Sequence, residues 1–145
     1  MKAISVDKIV NEFSLEVLAG KENLDTKVTK DKAHRPGLEF IGYFDFFPTE
    51  RVQVMGLAVI THLKQLSVEE RKERIGNIVN YHPPCFIVTR GQEELTYLIE
   101  YCDRENIPLL RTYDSTYEFI AKLNAYLTKA LAEEIAVPGV CLNVF

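Results

Sequence analysis

Two short apolar runs in the middle of the chain each end in polar side chains whose types suit the binding of an anion. The first run covers residues 85–88, and the second begins at Leu109-Leu110. The candidate ligand-binding residues that follow these runs are Thr89, Arg90, Gly91, Arg111 and Thr112. Guanidinium groups bind phosphate and carboxylate groups through parallel N–H donors. In the alternative interpretation, Arg90 and Arg111 pair with surface carboxylates or cap loops.

The elements around these side chains predict a strand–helix–strand unit. Residues 85–88 are apolar throughout, which is typical of a strand buried on both faces of a parallel sheet. A helix is predicted to begin at Gln92, because the apolar residues that follow have helical spacing. These residues are Leu95, Leu98, Ile99 and Cys102. The connection in such a unit is right-handed, and ligands of open parallel sheets bind beyond the carboxyl ends of the strands.

The whole chain predicts an α/β fold, namely a three-layer α/β/α domain with a mostly parallel sheet of four or five strands. Helices are expected on both faces of the sheet. The predicted strands lie near residues 15–19, 51–55, 85–89 and 107–111, with a further short strand considered at 26–29.

Capping residues and apolar spacing place the predicted helices. They begin at Ser5, near Pro36, after Gly56, at Ser67, at Gln92 and at Ser115, the last one extending to about residue 134. Ser67 and Ser115 are each followed three residues later by a glutamate, which forms the capping-box pattern. The short helix near Pro36 is predicted over residues 37–43, with Leu38 and Ile41 on its apolar side and Phe40 as a further candidate for that side.

Length and composition predict one domain and exclude several classes of function. The chain has 145 residues, a formal net charge of −4 and a pI near 5.4, which argue against a nucleic acid or an anionic membrane as the main partner. The N-terminus has no apolar signal region, and no apolar run approaches the roughly 18 residues of a membrane span. We therefore expect a cytoplasmic location. Cys85 and Cys102 lie in apolar patterns and are expected to be buried thiols.

The usual motifs of catalysis are missing from the sequence. It contains no Gly-x-x-x-x-Gly-Lys-Ser/Thr phosphate loop, no Gly-x-Gly-x-x-Gly turn and no Gly-x-Ser-x-Gly elbow. The three histidines are far apart and lack metal-ligand spacing, so no metal site is expected. The aromatic segment with Phe44, Phe46 and Phe47 fits either a recognition patch or residues buried under a loop. The chain alone is therefore not expected to be an enzyme or to hold a cofactor.

Several segments resemble the N-terminal domain of bacterial HPr kinase/phosphorylase. They are RPGLEFIGYFDFFP at 35–48, ERVQVMG at 50–56, PCFIVTRG at 84–91, and IPLLR at 107–111 followed by the long helix. The match covers nearly the whole chain in the order and spacing of the family, and its first segment is fairly specific.

The resemblance implies a parent enzyme that phosphorylates a serine of the phosphocarrier HPr with ATP or pyrophosphate and Mg²⁺, and that reverses this step by phosphorolysis. This activity links sugar uptake to carbon catabolite control. In the family the chemistry belongs to a C-terminal P-loop domain, which this chain does not contain. Residues 1–133 would form the N-terminal domain. Residues 134–145 would form a linker and the first strand toward the catalytic domain, so the chain is expected to be cut there.

One residue departs from the pattern that the resemblance implies. The family usually has a catalytic histidine directly before a Gly-Val pair, and this sequence has Pro138 at that position. Proline has no titratable group, so it cannot serve in acid–base chemistry. No catalytic residue is carried over from the family for this reason.

The resemblance leaves three hypotheses about function. The first is a non-catalytic domain that acts in assembly or regulation, with self-association expected and HPr as a partner of the parent's catalytic domain. The second is a sensor domain that binds a nucleotide or phosphorylated metabolite. The family's domain is similar in fold to the uridine-nucleotide-binding domain of Mur-type ligases, which directs attention to Arg35, Arg90 and Arg111. The third, a free-standing phosphotransferase, is disfavoured because the phosphate loop is missing.

Overall fold

The fold comes from a computed structural model, which describes residues 2–132 and the backbone of residues 136–137 and 140–141. The elements in chain order are β1 (Ile4–Ser5), α1 (Val6–Phe13), β2 (Glu16–Ala19), β3 (Lys27–Val28), β4 (Gln53–Met55), α2 (Leu57–Gln65), α3 (Val68–Val79), β5 (Phe86–Val88), α4 (Thr96–Glu105), β6 (Leu109–Arg111), α5 (Thr116–Leu131), β7 (Ala136–Val137) and β8 (Val140–Cys141). Short 3₁₀ turns cover Lys21–Asn23 and Leu38–Ile41.

The central sheet has four strands in the order β2-β6-β5-β4, and this confirms the prediction of a mostly parallel sheet. Strands β4, β5 and β6 are parallel, whereas β2 runs antiparallel to β6. Ile87 of β5 pairs with Val54 on one side and with Leu110 on the other. The carboxyl ends of the three parallel strands therefore meet at one edge of the sheet, where the predicted polar residues lie.

Helices cover both faces of the sheet, as the three-layer prediction requires. Phe86 and Val88 pack on one face against α2, α3 and α4. Ile87 points to the opposite face, where it packs with α1 and α5. Successive side chains of a strand alternate between faces, so a strand that is apolar at every position is buried from both sides. The continuous apolar sequence of β5 is explained by this placement.

Strand β3 confirms the short strand considered at 26–29, but its partner was not predicted. It pairs with β1 in a separate antiparallel sheet of two strands. This pairing also changes how α1 begins, because Ser5 makes no side-chain cap. The amide of Val6 donates instead to the carbonyl of Thr26 at 2.9 Å, and the amide of Asp7 donates to Leu24. Backbone carbonyls thus satisfy the first-turn donors that a capping side chain would otherwise take.

The predicted helix over residues 37–43 is reduced to a single 3₁₀ turn, and the prediction that Leu38 and Ile41 are buried is wrong. Leu38 and Ile41 are 58% and 62% exposed, whereas Phe40 is buried. In a 3₁₀ helix, side chains three positions apart lie on the same side. Leu38 and Ile41 therefore face solvent together, and Phe40 enters the core.

Helix α4 begins four residues later than predicted. Glu94 has a φ of +60°, which interrupts any helix through residues 92–95. The Gln92 side chain donates back to the Thr89 carbonyl at 3.0 Å, so this segment is a turn that closes on the end of β5. The capping predictions for the other two helices are correct. Ser67 accepts a hydrogen bond from the Glu70 amide, and Ser115 accepts one from the Glu118 amide.

The end of the chain tests the predictions only in part. Helix α5 ends at Leu131, and residues 133–135 lie outside the described residues. Strands β7 and β8 pair antiparallel, so part of the strand predicted at 140–145 is present. Residues 142–145 and Pro138 lie outside the described residues, and the structure does not bear on the predicted domain boundary.

Candidate ligand site

The end of β5 is fixed to the start of α5 by two buried hydroxyl groups. Thr89 directly follows β5 and is fully buried, and its Oγ1 lies 2.6 Å from Oγ1 of Thr116. The Thr89 amide also donates to the carbonyl of Met55 in β4 at 3.2 Å. A buried hydroxyl is stable only when its hydrogen bonds are satisfied, so this pair joins two strands and one helix at the carboxyl edge of the sheet.

Arg90 and Gly91 turn the chain sharply at this edge. Both have left-handed backbone conformations, with φ values of +60° and +59°. The Arg90 amide donates to the Asp114 carbonyl and the Gly91 amide donates to the Thr112 carbonyl, each at 2.8 Å. A Cβ atom on Gly91 would lie 2.3 Å from the ring of Tyr113. Glycine suits this left-handed conformation, and a side chain here would have to displace the exposed ring of Tyr113.

A cleft of about 540 Å³ lies beside this turn, between the first turns of α2 and α5. Its lining residues are Arg35, Leu57, Ala58, Thr61, His62, Gln65, Arg90, Thr116 and Tyr117. A Cβ atom on Gly56, the N-cap of α2, would lie 2.7 Å from the Thr116 hydroxyl, so glycine allows the close approach of the two helix starts. The partial positive charges of both N-termini are thereby directed to the same region.

The ionisable side chains that line the cleft include two arginines and one histidine. Arg35 and Arg90 lie on its surface, together with His62, and no carboxylate lines it. Within residues 2–132, neither arginine has an acidic side chain within 4 Å. Arginine side chains beside helix N-termini form an arrangement that can hold a phosphate or carboxylate group. The cleft can therefore bind an anion.

Arg111 belongs to a different environment and forms an ion pair. Its Nε and Nη2 atoms donate to the two carboxylate oxygens of Glu16 at 3.3 and 2.8 Å, and Nη1 donates to the Gln92 carbonyl at 3.1 Å. Hydrogen bonding to Arg111, and then to Tyr113, lowers the pKa of the Glu16 carboxyl. Arg111 therefore pairs with a carboxylate, as in the alternative interpretation of this residue.

The six residues predicted for a ligand site thus fall into three groups. Arg35 and Arg90 face the cleft, and Thr89 and Gly91 shape the turn beneath it. Arg111 and Thr112 line a second, separate cleft. The buried Thr112 accepts a hydrogen bond from the Asp114 amide at 3.3 Å, which is a loop-forming contact.

Sequence reasoning missed the helical residues of the cleft. Thr116 and Tyr117 begin α5 after β6, and Thr61, His62 and Gln65 lie on α2 after β4. One signal was available, because helices that follow parallel strands start at the ligand-binding edge of the sheet. The predicted starts after Gly56 and at Ser115 could therefore have pointed to these residues.

The aromatic segment after the 3₁₀ turn fits both interpretations offered for it. Phe44 stacks on Tyr81 with ring centroids 4.7 Å apart, and Phe47 meets both rings edge to face. These two phenylalanines are packed against the core. Phe46 is 96% exposed, so only this ring is available at the surface.

The cysteine prediction is confirmed for the two described thiols, because Cys85 and Cys102 are free and fully buried. Within residues 2–132 and the two short strands that follow, no group of histidine, cysteine and acidic side chains could hold a metal ion. The same part of the chain has no helix that is long and apolar enough to span a membrane.

A solved structure of low sequence identity shares this fold. It is the "Crystal structure of the CBS and DRTGG domains of the regulatory region of Clostridium perfringens pyrophosphatase complexed with activator, diadenosine tetraphosphate". The TM-score is 0.58 at 16% identity, over 88% of this chain and 48% of that one. Similarity at this identity supports the α/β fold alone.

Curated relatives with higher identity are HPr kinase/phosphorylases. The "Putative HPr kinase/phosphorylase 2" of Oceanobacillus iheyensis is 61% identical over 144 residues, which is 99% of this chain and 47% of that protein. The HPr kinase/phosphorylase of Clostridium botulinum strain Alaska E43 is 34% identical over 142 residues, or 98% of this chain and 46% of the relative. The chain therefore spans about half the length of the curated relatives that it matches.

A family model described as "HPr Serine kinase N terminus" matches residues 4–127, which covers β1 through most of α5. The resemblance drawn from residues 35–56 and 84–111 is confirmed by this match. The chain belongs to the HPr serine kinase N-terminal domain family.

Proposed function

We propose that this chain is a non-catalytic domain that acts in the assembly or regulation of an HPr kinase/phosphorylase-like protein. The observation that carries the proposal is the family match over residues 4–127, in a chain that spans about 47% of the length of the curated relatives named above. A sequence without a phosphate loop supports the assignment of phosphoryl transfer to another part of the parent protein.

The parent proposed here phosphorylates a serine of HPr with ATP or pyrophosphate and Mg²⁺, and it works in the cytoplasm. Residues 1–133 form the proposed domain, and residues 134–145 connect it to the catalytic part. Self-association of the domain is part of the same proposal, since a domain that contributes no catalytic group can still set the arrangement of its parent's catalytic domains.

A domain exchange tests this function. The relative from Oceanobacillus iheyensis is prepared complete, without the segment that aligns with residues 1–133, and with that segment replaced by this chain. We expect the shortened protein to lose the normal assembly state or the normal response to metabolites, and the chimera to regain both. Sedimentation velocity and phosphoserine formation on HPr report the two properties. A shortened protein identical to the complete one in both measurements would contradict the proposal.

The second candidate function is a sensor that binds a nucleotide or phosphorylated metabolite. The specific observation in its favour is the cleft of about 540 Å³ with Arg35 and Arg90 on its surface. Small-ligand sites typically occupy a few hundred to a thousand Å³, so the volume is suitable. Ligand binding by the isolated chain distinguishes this function from a purely structural role in assembly.

A further inference from the structure

We infer that the cleft between the starts of α2 and α5 binds a phosphorylated small molecule, with a phosphate group held between Arg35 and Arg90. The inference deepens the second proposed function and rests on it, because it names the ligand chemistry and the residues of that site. Arg35 precedes the 3₁₀ turn and Arg90 follows β5, so segments far apart in sequence bring the two arginines to the lining of one cleft.

The charge of the cleft is opposite to that of the chain. The sequence has 21 acidic and 17 lysine or arginine residues, yet the lining of the cleft includes two arginines, one histidine and no acidic residue. A concave region with one sign of charge raises the local concentration of the opposite ion. An anionic ligand is therefore favoured here, although the chain as a whole repels anions.

The backbone at the start of α2 adds donors to this basic cleft. Helix α2 begins after Gly56, which has no side chain to cap it, and Leu57 and Ala58 of its first turn line the cleft. The first N–H groups of a helix have no partner within the helix. The start of α5 differs, because Ser115 accepts a hydrogen bond from the Glu118 amide. The α2 terminus can thus donate to an anion that the two arginines attract.

The rest of the cleft suits a polar or aromatic body attached to the phosphate. Tyr117 is 84% exposed at the edge of the cleft, so its ring is free to stack on a planar group. Thr61, His62 and Gln65 supply hydrogen-bonding groups along one side of α2. A nucleotide and a sugar phosphate both carry a phosphate group that the arginines would hold. Only the nucleotide has a planar base on which the Tyr117 ring would stack.

Isothermal titration calorimetry on the isolated chain tests the inference with four probes: ATP, a UDP-sugar, fructose 1,6-bisphosphate and pyrophosphate. We expect at least one probe to bind at one site per chain with a Kd below about 1 mM. Replacing Arg35 by Gln, or Arg90 by Gly, should weaken that binding about tenfold or more, because each change removes a charged hydrogen-bond donor. Tyr117→Ala should weaken the binding of a nucleotide and leave the affinity for pyrophosphate unchanged.

Two controls separate loss of the site from loss of the fold. Lys8→Gln removes one positive charge from the exposed face of α1, away from the cleft, and should leave the affinity unchanged. Arg90→Gly removes the strain of a left-handed backbone conformation at a residue with a side chain. The variant should therefore unfold at a higher temperature than the unchanged protein, although it binds the probe less well. Melting curves of each variant give this second readout.

Two results would overturn the inference. One is the absence of saturable binding for all four probes at concentrations up to about 1 mM. The other is binding that stays unchanged in both the Arg35→Gln and the Arg90→Gly variants. Neither result would decide the assembly role, which the domain exchange with the Oceanobacillus iheyensis relative measures independently.

Discussion

Thr89 and Thr116 share a hydrogen bond of 2.6 Å between their hydroxyl oxygens, in the buried contact between the end of β5 and the start of α5. This contact fixes the position of the turn that carries Arg90 relative to the helix that carries Tyr117. The turn after β5 and the start of α5, which both border the cleft, are therefore held together by this pair of side chains.

The Thr89–Thr116 pair predicts a non-additive effect on stability. Thr89→Val leaves the Thr116 hydroxyl buried without this partner, and it should lower the free energy of unfolding by about 1–3 kcal/mol. Replacing both threonines by valine should lower the free energy of unfolding by less than the sum of the two single changes. The double variant has no hydroxyl at either position, so no buried hydroxyl is left without its partner. Urea unfolding of the four proteins gives the coupling energy. Additive single effects would show that the two hydroxyls do not depend on each other.

The Glu16–Arg111 ion pair predicts a loss of stability in acid. Hydrogen bonding to Arg111 lowers the pKa of Glu16 from its ordinary value of 4.5, so the unfolded chain binds a proton there more readily than the folded chain. The contribution of this carboxylate is fully present above pH 4.5, and it is lost as the pH falls through the lowered pKa.

Glu16→Gln checks this prediction because it removes the titrating group and keeps a hydrogen-bond acceptor. The free energy of unfolding is measured in urea from pH 3 to pH 7 for both proteins. The original should be the more stable at pH 7, and the difference should shrink as the pH falls below 4.5. Asp25→Asn serves as a control on an exposed carboxylate; a difference for Glu16→Gln that does not vary with pH would contradict the prediction.

Gly20 should tolerate no side chain. It has a φ of +66°, and a Cβ atom would lie 2.3 Å from the backbone carbon and oxygen of Ile107. Gly20→Ala should therefore lower the free energy of unfolding by more than about 2 kcal/mol, through both backbone strain and collision with a backbone that cannot move aside. Gly37→Ala is the matched control, because nothing lies within 4 Å of its added Cβ. Thermal and urea unfolding should show a large effect only for Gly20→Ala.

The buried thiols should be unreactive in the folded protein. Burial raises the pKa of Cys85 to about 12, and burial also raises the pKa of Cys102. Thiolate is the reactive form, so both groups are protected by charge state as well as by access. In a Cys141→Ser background, a thiol reagent at pH 8 should modify neither cysteine until denaturant is added. Rapid modification without denaturant would contradict the packing of these residues in the core.

The strands and helices could be predicted from the sequence where a local feature, such as an apolar run or a capping residue, determines the structure. The continuous apolar run of β5 indicated a strand buried on both faces, and Ser67 and Ser115 marked true helix starts. The start of α1 after Ser5 was predicted correctly, but its capping was not, because the Thr26 carbonyl accepts from the Val6 amide in place of the Ser5 side chain. Contacts between segments distant in sequence leave no local signal.

The candidate site was predictable only as a location. The carboxyl edge of the sheet was indicated by Arg90 and Arg111, but the sequence could not tell that these arginines line two different clefts. The ion pair with Glu16 depends on the antiparallel pairing of β2 with β6, which places Glu16 opposite Arg111. The sequence pattern predicted both strands but not that they would be neighbours.

The most direct test of the central claim is an assay of the isolated chain for phosphoryl transfer. The chain is incubated with HPr, ATP and Mg²⁺, and phosphoserine on HPr is measured by mass spectrometry, with the complete Clostridium botulinum relative as the positive control. If the chain is a regulatory domain without its own catalytic group, HPr should gain no more phosphoserine than in a reaction from which the chain is left out. Circular dichroism confirms that the chain in the assay is folded. Phosphoserine that accumulates in proportion to the amount of isolated chain would contradict the claim.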